Sequence, residues 1–451
     1  MSSLSPGVSE AASGVSPEPS RGAGAEPRRS RQSTFVPYVA SHIDPDIKGP
    51  SGSGPGTPPG ATVPTMEPIS HTSRPRRRLA GFVAAAAALM LSLTLAPAPA
   101  SAGPSGGGSK AAAHKSRTVD VMTRNLYLGA DLFPVIGALA TNPALVPQAA
   151  SATWAAVQAT KPEERMAAIA GEIARTRPAV VGLQEVTTWT TYSPTGVPTT
   201  EYDFLELLLK ALADRGIVYQ EVEGATADNF ASPPIPLAQG GFVSLADRDV
   251  IIKRAGVKTR NAQNGTFQNV ISFPLADGST LPVARGWGSV DVSTKKAKFR
   301  FVNSHLEAFG IPGVDAEALR YAQVGELLAA QRQIAKTYGW LPMVYVGDYN
   351  SKAPTGIAYQ RLVAAVGKDA WVVKNPGDPG YTCCYDAAVS DPTAQLTSRI
   401  DLVVVSKKIK VVRAWRVGVG TSAMTKSGLY PSDHAGVVAR LIIPKRHHHR
   451  R

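Results

Sequence analysis

Residues 342–351 read PMVYVGDYNS. Between Pro342 and Gly347 the run MVYV carries no charge, and three of its four side chains are β-branched or aromatic, the composition of a strand buried on both faces. Asp348 and Asn350 follow at once. A packed core rejects an unpaired carboxylate, so the strand has to stop there and deliver Asp348 to a rim that water reaches.

The same break recurs along the chain. PAVVGLQ runs into Glu185, KFRFVNS into His305, SRI into Asp401, and LYPS into Asp433 and His434, while VDVMTRN ends on Asn125. Strand ends that meet at one sheet edge are where α/β proteins place their chemistry, because the scaffold beneath them is rigid. Only two of the eight histidines, His305 and His434, lie between residues 117 and 445, and both sit at such ends. One histidine at a strand end is ordinary; two beside carboxylates point to a site.

Between these strands the period changes from two to 3.6. KPEERMAAIAGEIARTRP (161–178), DFLELLLKALADRG (203–216), EALRYAQVGELLAAQRQIAKTYG (317–339) and IAYQRLVAAVG (357–367) read as amphipathic helices. RDVIIKRAG, KVVRAWRVGVG and HAGVVARLII read as strands, and VARGWGSVDVS with KAKFRFVNSHL as a hairpin turning at residues 294–296. The mixture predicts sheets with helices packed outside them. Residues 131–160, between the first strand and the first helix, are longer than a usual connection and predict an added helix near the substrate side; lid, membrane-facing element and plain packing are its alternatives, with packing preferred.

Ahead of this domain the composition differs. Residues 1–73 are crowded with Ser, Pro, Gly and Ala and are expected to be disordered. Arg74, Arg76, Arg77 and Arg78 then precede the apolar run LAGFVAAAAALMLSLTL (79–95), with small residues at Ala100 and Ala102. This is the grammar of a secretory signal at 74–102, which places the rest of the chain outside the cell; the alternative is an uncleaved membrane anchor. A start of translation at Met66 would give that signal a conventional basic segment. Residues 103–116 read as a linker, 117–445 as the catalytic domain and 446–451 as a basic tail.

The chain has 451 residues, a formal charge of +14 and two cysteines. Two cysteines exclude a disulfide framework and a structural zinc cluster. They stand side by side as Cys383 and Cys384, and two reduced thiols or a strained ring both remain open; a catalytic role is disfavoured because no histidine adjoins them in sequence. The folded part is mildly basic, which suits an anionic partner without specifying one.

Four carboxylates (Glu185, Asp348, Asp401, Asp433), two histidines and two asparagines (Asn125, Asn350) make up the candidate site. Oxygen donors with little nitrogen and no sulfur suit Mg²⁺, with Mn²⁺ or Ca²⁺ as alternatives, and such ions commonly assist transfer at phosphorus.

The ordered set NLYLGAD, LQEV, NSHLE, GDYNS, SRIDLV and SDH resembles the endonuclease/exonuclease/phosphatase superfamily, of the DNase I-like, secreted bacterial type. Each motif alone is weak; six in the family's order over Asn125–His434 are specific. The resemblance implies a mixed α+β fold, a four-layer αββα sandwich of two mixed sheets flanked by helices. It implies a metal held by Glu185 with Asn125 and Asp433 beside it, Asp348 orienting or deprotonating water, Asn350 touching phosphate, and Asp401 fixing a protonated His434. His305 matches the second histidine of the deoxyribonuclease and sphingomyelinase branches, with Asp247 or Asp249 as its partner unless these pair with Arg248 or Arg254. The expected reaction is in-line hydrolysis of a phosphodiester, both histidines protonated.

A nuclease is the first reading of the substrate and a sphingomyelinase- or phospholipase C-like lipid phosphodiesterase the alternative, with a non-catalytic secreted module as a third. The expected partner is therefore nucleic acid or phospholipid, with membrane-surface contact left open, and the chain is expected to act as a monomer.

Overall fold

The computed structural model describes residues 118–444 apart from Lys296 and Pro312. The N-terminal segment, the signal, the linker and the basic tail expected from the sequence lie outside the described residues.

Two mixed sheets form the middle of the molecule. In the first, β1 (Thr118–Asn125) runs parallel to β2 (Val180–Gln184) and antiparallel to β18 (Gly436–Ile442), whose other edge takes β17 (Lys410–Val417). β8 (Phe242–Arg254) lies beyond β2; along its length it also pairs with β3 (Thr188–Tyr192), β5 (Tyr219–Glu221), β6 (Ala227–Ala231) and β7 (Ile235–Pro236), while β4 (Pro198–Asp203) pairs with β3. The second sheet has the order β15 (Gly367–Asp369), β16 (Asp401–Ser406), β14 (Met343–Asp348), β13 (Lys298–His305), β12 (Gly286–Ser293), β9 (Lys258–Thr266). Its β13 and β14 are parallel. A separate hairpin joins β10 (Ile271–Pro274) to β11 (Thr280–Val283).

Helices cover both outer faces. α1 (Phe133–Thr141), α2 (Val146–Ala159), α3 (Pro162–Thr176) and α4 (Phe204–Ala213) pack on the first sheet, where Trp154, Met166, Ile169, Ile173 and Leu208 meet Val181 and Leu183. α5 (Ala316–Tyr338) and α6 (Ile357–Val366) pack on the second through Val324, Leu327 and Leu362 against Val302, Tyr345 and Val404; the short α7 (Ala370–Lys374) follows β15. Between the sheets Val121, Val180, Ile251, Phe299, Phe301, Val344 and Val403 form a third core. The αββα sandwich is therefore the fold. Its central strands are buried on both faces, which is why MVYV and PAVVGL read as unbroken apolar runs.

The helix ends follow their sequence signals. Asp315 caps α5 by accepting from the N–H groups of Glu317 and Ala318 at 2.9 and 3.1 Å, and Gly339 closes it at φ 89°. The 131–160 segment folds as two helices and a short 3₁₀ turn rather than one helix, each helix carrying a proline in its first turn.

The sheets approach closely at Gly182. A Cβ there would lie 2.4 Å from Oδ1 of Asn303, so only glycine leaves room for the amide that crosses between the sheets. Asn303 accepts from Gln184 Nε2 at 2.6 Å and donates to the Leu183 carbonyl at 2.9 Å. This buried polar bridge ties β2 to β13 one residue short of Glu185 and two short of His305.

Candidate active site

Register brings the polar strand ends together. Asn125 sits opposite Gln184 in the parallel β1–β2 pair, His305 opposite Asp348 in β13–β14, and Asp348 opposite Asp401 in β14–β16. The C-terminal ends of four strands thus meet the N-terminal ends of β16 and β18 at one edge. Glu185 and Asn350 turn off their strands in the left-handed region, at φ 54° and 48°. Asparagine tolerates that conformation; for Glu185 it costs about 1 kcal/mol or more. Two hydrogen bonds offset the cost, from Asn125 Nδ2 and from the Leu128 N–H, both at 2.8 Å.

Asn125 links two carboxylates, since the same Nδ2 lies 3.2 Å from Asp348 Oδ2 while its Oδ1 accepts from the Tyr127 N–H at 2.8 Å. Asp348 Oδ1 accepts from the Asn350 N–H at 3.0 Å. Asp348 Oδ2 stands 3.7 Å from His434 Nδ1 and 3.7 Å from His305 Nε2. His434 Nδ1 bonds Asp401 Oδ2 at 2.8 Å. All eight expected residues converge here except that Asn350 turns its Nδ2 to the Leu306 carbonyl, 3.1 Å away, and reaches the site through its backbone.

Burial sets the electrostatics. It raises Asp348 to about 7, with Asp401 adding to the rise and His434 opposing it. Glu185 is lifted by burial and then by Asp433, and Asp433 by burial against the pull of His434 and Arg165. Burial disfavours a charged His434, but Asp401, Asp433 and Asp348 together outweigh it and hold the ring well above its usual range. His305 goes the other way, pushed well below that range by burial and then by Arg285. One imidazolium and one neutral imidazole therefore flank Asp348, where the sequence reading had two imidazoliums.

Arg285 also fixes the His305 tautomer. Its Nη1 lies 3.4 Å from His305 Nδ1 and can only donate, so Nδ1 accepts and the ring proton sits on Nε2, toward Asp348. Asp249 is the carboxylate beside His305, 3.8 Å from Nδ1, while Asp247 accepts from Thr187 Oγ1 and Asn229 Nδ2 at 3.2 Å each. Arg248 pairs instead with Asp203 at 2.7 Å, and Arg254 donates to the Arg177 carbonyl.

The model of the Endonuclease/Exonuclease/phosphatase family matches residues 154–434. The chain belongs to the endonuclease/exonuclease/phosphatase family. Its members hydrolyse phosphoester bonds, so this is a phosphoesterase domain. Among solved structures it is similar to an endonuclease/exonuclease/phosphatase family protein from Bacteroides thetaiotaomicron, at 19% identity over 74% of this chain and 98% of that one, TM-score 0.43. It is similar to a mannosyl-6-phosphatase of the same organism, at 18% identity over 72% and 100%, TM-score 0.42. The human Nocturnin catalytic domain matches at 19% identity over 73% and 94%, TM-score 0.43. No curated protein matches the sequence.

Members of the endonuclease/exonuclease/phosphatase family typically require a divalent metal, and the donors present here fit one. Glu185 and Asp433 are neighbouring half-buried carboxylates, and Asp433 adds to the raised proton affinity of Glu185, a repulsion a hard cation relieves. Asp348, Asp401 and His434 also crowd within 4.8 Å of one another, but His434 spends Nδ1 on Asp401, so that trio reads as a proton-handling group.

Sequence reading missed several residues of this site. Arg285 lies in the two-residue link between β11 and β12, where the sequence reading had it inside a strand of the hairpin. Arg124 is buried, pairs with Glu172 at 3.0 Å and donates to the His434 carbonyl, fixing that loop from behind. Cys383 and Cys384 bring their sulfurs together, and Cys384 Sγ lies 3.8 Å from His434 Nε2. The histidine absent from their sequence neighbourhood is therefore present in space, because the 382–385 segment bonds to Asp433 and Ala435 through backbone contacts of 2.8 and 2.7 Å.

Proposed function

We propose that this chain is a secreted, divalent-cation-dependent phosphodiesterase. The observation that supports this reading is Asp348, a buried carboxylate raised toward neutrality between a charged His434 and a neutral His305. A base with affinity near the working pH accepts a proton efficiently.

Asn125, Glu185 and Asp433 would hold the cation, which supplies charge neutralisation at the phosphoryl oxygens. Asp348 orients the attacking water and takes its proton as the oxygen bonds to phosphorus. His434, held cationic by Asp401, stabilises the charge that develops on phosphate and gives its proton to the departing oxygen as the P–O bond breaks. Asp348 then gives the water's proton up to solvent, and His434, whose Nδ1 stays bonded to Asp401, regains its proton at Nε2. His305 presents its Nε2 proton to the same space. The leaving oxygen of an alkyl ester needs the proton that His434 carries. Delivery outside the cell rests on the signal grammar of residues 74–102.

Hydrolysis of bis(4-nitrophenyl) phosphate by the full-length protein tests the reading. Activity is expected with Mg²⁺, not with EDTA, and should fall about 10²- to 10⁴-fold in Asp348→Asn. Activity that ignores both changes would overturn it.

A further inference from the structure

A cavity of about 320 Å³ opens directly from the catalytic edge. Its inner end holds Glu185, Asp433, Asp247 and Arg285, and the rest of its wall is almost wholly apolar. Val135, Ile136 and Leu139 of α1 form one side, and Leu275, Leu281 and Phe309 another. The 131–160 segment and the β10–β11 hairpin thus supply two sides of the wall, and β6, β7 and β8 complete it. The first two share a hydrophobic cluster in which Ile136, Leu281 and Phe309 pack around Ile271, Phe273 and Val283.

Two properties of the cavity decide its occupant. First, few polar side chains line its apolar part and most already have partners: Ser232 Oγ accepts from the Leu245 N–H at 3.1 Å, Ser244 Oγ bonds the Tyr192 hydroxyl at 3.2 Å, and Asp131 Oδ1 accepts from the Phe133 N–H at 2.9 Å, which leaves the Thr153 hydroxyl. Sugar hydroxyls or base edges placed there would lose their hydrogen bonds to water without replacement. Second, Arg285 at the inner end is buried, lies over the Phe309 ring at 5.6 Å, and its Nε has no hydrogen-bond partner. Its nearest anions, Asp247 and Glu307, stand at 3.9 and 3.8 Å, too far for a hydrogen bond. A buried guanidinium with no hydrogen-bonded anion of its own, between an apolar chamber and the catalytic carboxylates, suits one oxygen of a phosphate.

Resting on the phosphodiesterase reading, we infer that the substrate is an amphiphilic phosphodiester with a single hydrocarbon chain, its phosphate beside Arg285 and its chain in the cavity. The volume lies at the low end of ligand pockets, which run from about 300 to 1,000 Å³. It takes one chain rather than a two-tailed lipid. The sequence left the 131–160 segment between packing, lid and membrane contact; here it is one wall of a substrate chamber.

The experiment compares 4-nitrophenyl alkyl phosphates from methyl to octyl, below their aggregation concentrations, with the full-length protein and Mg²⁺. The expected result is a kcat/KM that rises roughly three- to fourfold per methylene until the cavity is filled. Ile136→Asp and Leu281→Asp should each flatten that rise. On the unmodified protein, octyl phosphate should inhibit far more tightly than methyl phosphate, a readout that does not depend on the variants folding. Equal turnover along the series, equal inhibition by the two alkyl phosphates, or supercoiled plasmid as a better substrate than the octyl ester would each overturn the inference and leave the phosphodiesterase reading standing. No hydrolysis of any member, or of DNA, overturns that reading and the inference with it.

Discussion

Asp401 holds His434 by a 2.8 Å bond from the ring Nδ1, and this contact fixes the orientation of the imidazolium that faces Asp348 and leads the carboxylates that keep it charged. Replacing the carboxylate by an amide keeps the shape and removes the charge. Asp401→Asn should lower kcat about 10²- to 10⁴-fold with a small change in KM, measured on a soluble diester. A change confined to KM would assign Asp401 to binding instead.

Arg285 offers a second check, independent of the first. Arg285→Gln removes a buried, charge-assisted donor to phosphate and should reduce kcat/KM by about 10- to 100-fold, the equivalent of roughly 1.5–3 kcal/mol. Because Arg285 also lowers the proton affinity of His305, the pH profile should move with it.

Asp249 gives a pH-dependent signature in stability. Burial, and then Asp247, raise its carboxyl well above the ordinary range, so the folded chain keeps the proton after the unfolded chain has lost it. The folded state is then penalised progressively as pH rises above the unfolded value near 4, by at most about 1.4 kcal/mol per unit. Asp249→Asn removes the penalty. Melting temperatures of the two proteins should agree near pH 4 and diverge toward pH 8, with the variant higher.

Cation binding should also register without turnover. Glu185, Asp433 and Asp348 all have raised proton affinities, so protons and cation compete for the site. Millimolar Mg²⁺ should raise the melting temperature by a few degrees at pH 8 and by less at pH 5, and Glu185→Gln should abolish most of the increment.

Much of this edge was legible in the sequence because burial there is all or nothing. MVYV and PAVVGL are covered on both faces, so their apolar runs stop abruptly where Asp348 and Glu185 reach the rim. Half-buried strands leave no such mark. β9 reads KTRNAQNGT and is polar along its length, since it lies at the edge of its sheet, and β6 reads ADNFA. Neither has the alternation that marks a strand. Arg285 and Arg124 were illegible for another reason: their roles are set by residues distant in sequence, Phe309 and His305 for one and Glu172 for the other. The chamber was equally hidden, being formed by several segments, two of them more than a hundred residues apart, whose apolar side chains are scattered rather than periodic.

Single-turnover hydrolysis of bis(4-nitrophenyl) phosphate by the full-length protein and by Asp348→Asn, each with Mg²⁺ and with EDTA, tests the central claim most directly. The account predicts rapid release of nitrophenolate only from the unsubstituted protein with Mg²⁺, and a loss of about 10²- to 10⁴-fold in each of the other three conditions. Equal rates in Asp348→Asn and the unsubstituted protein would contradict it.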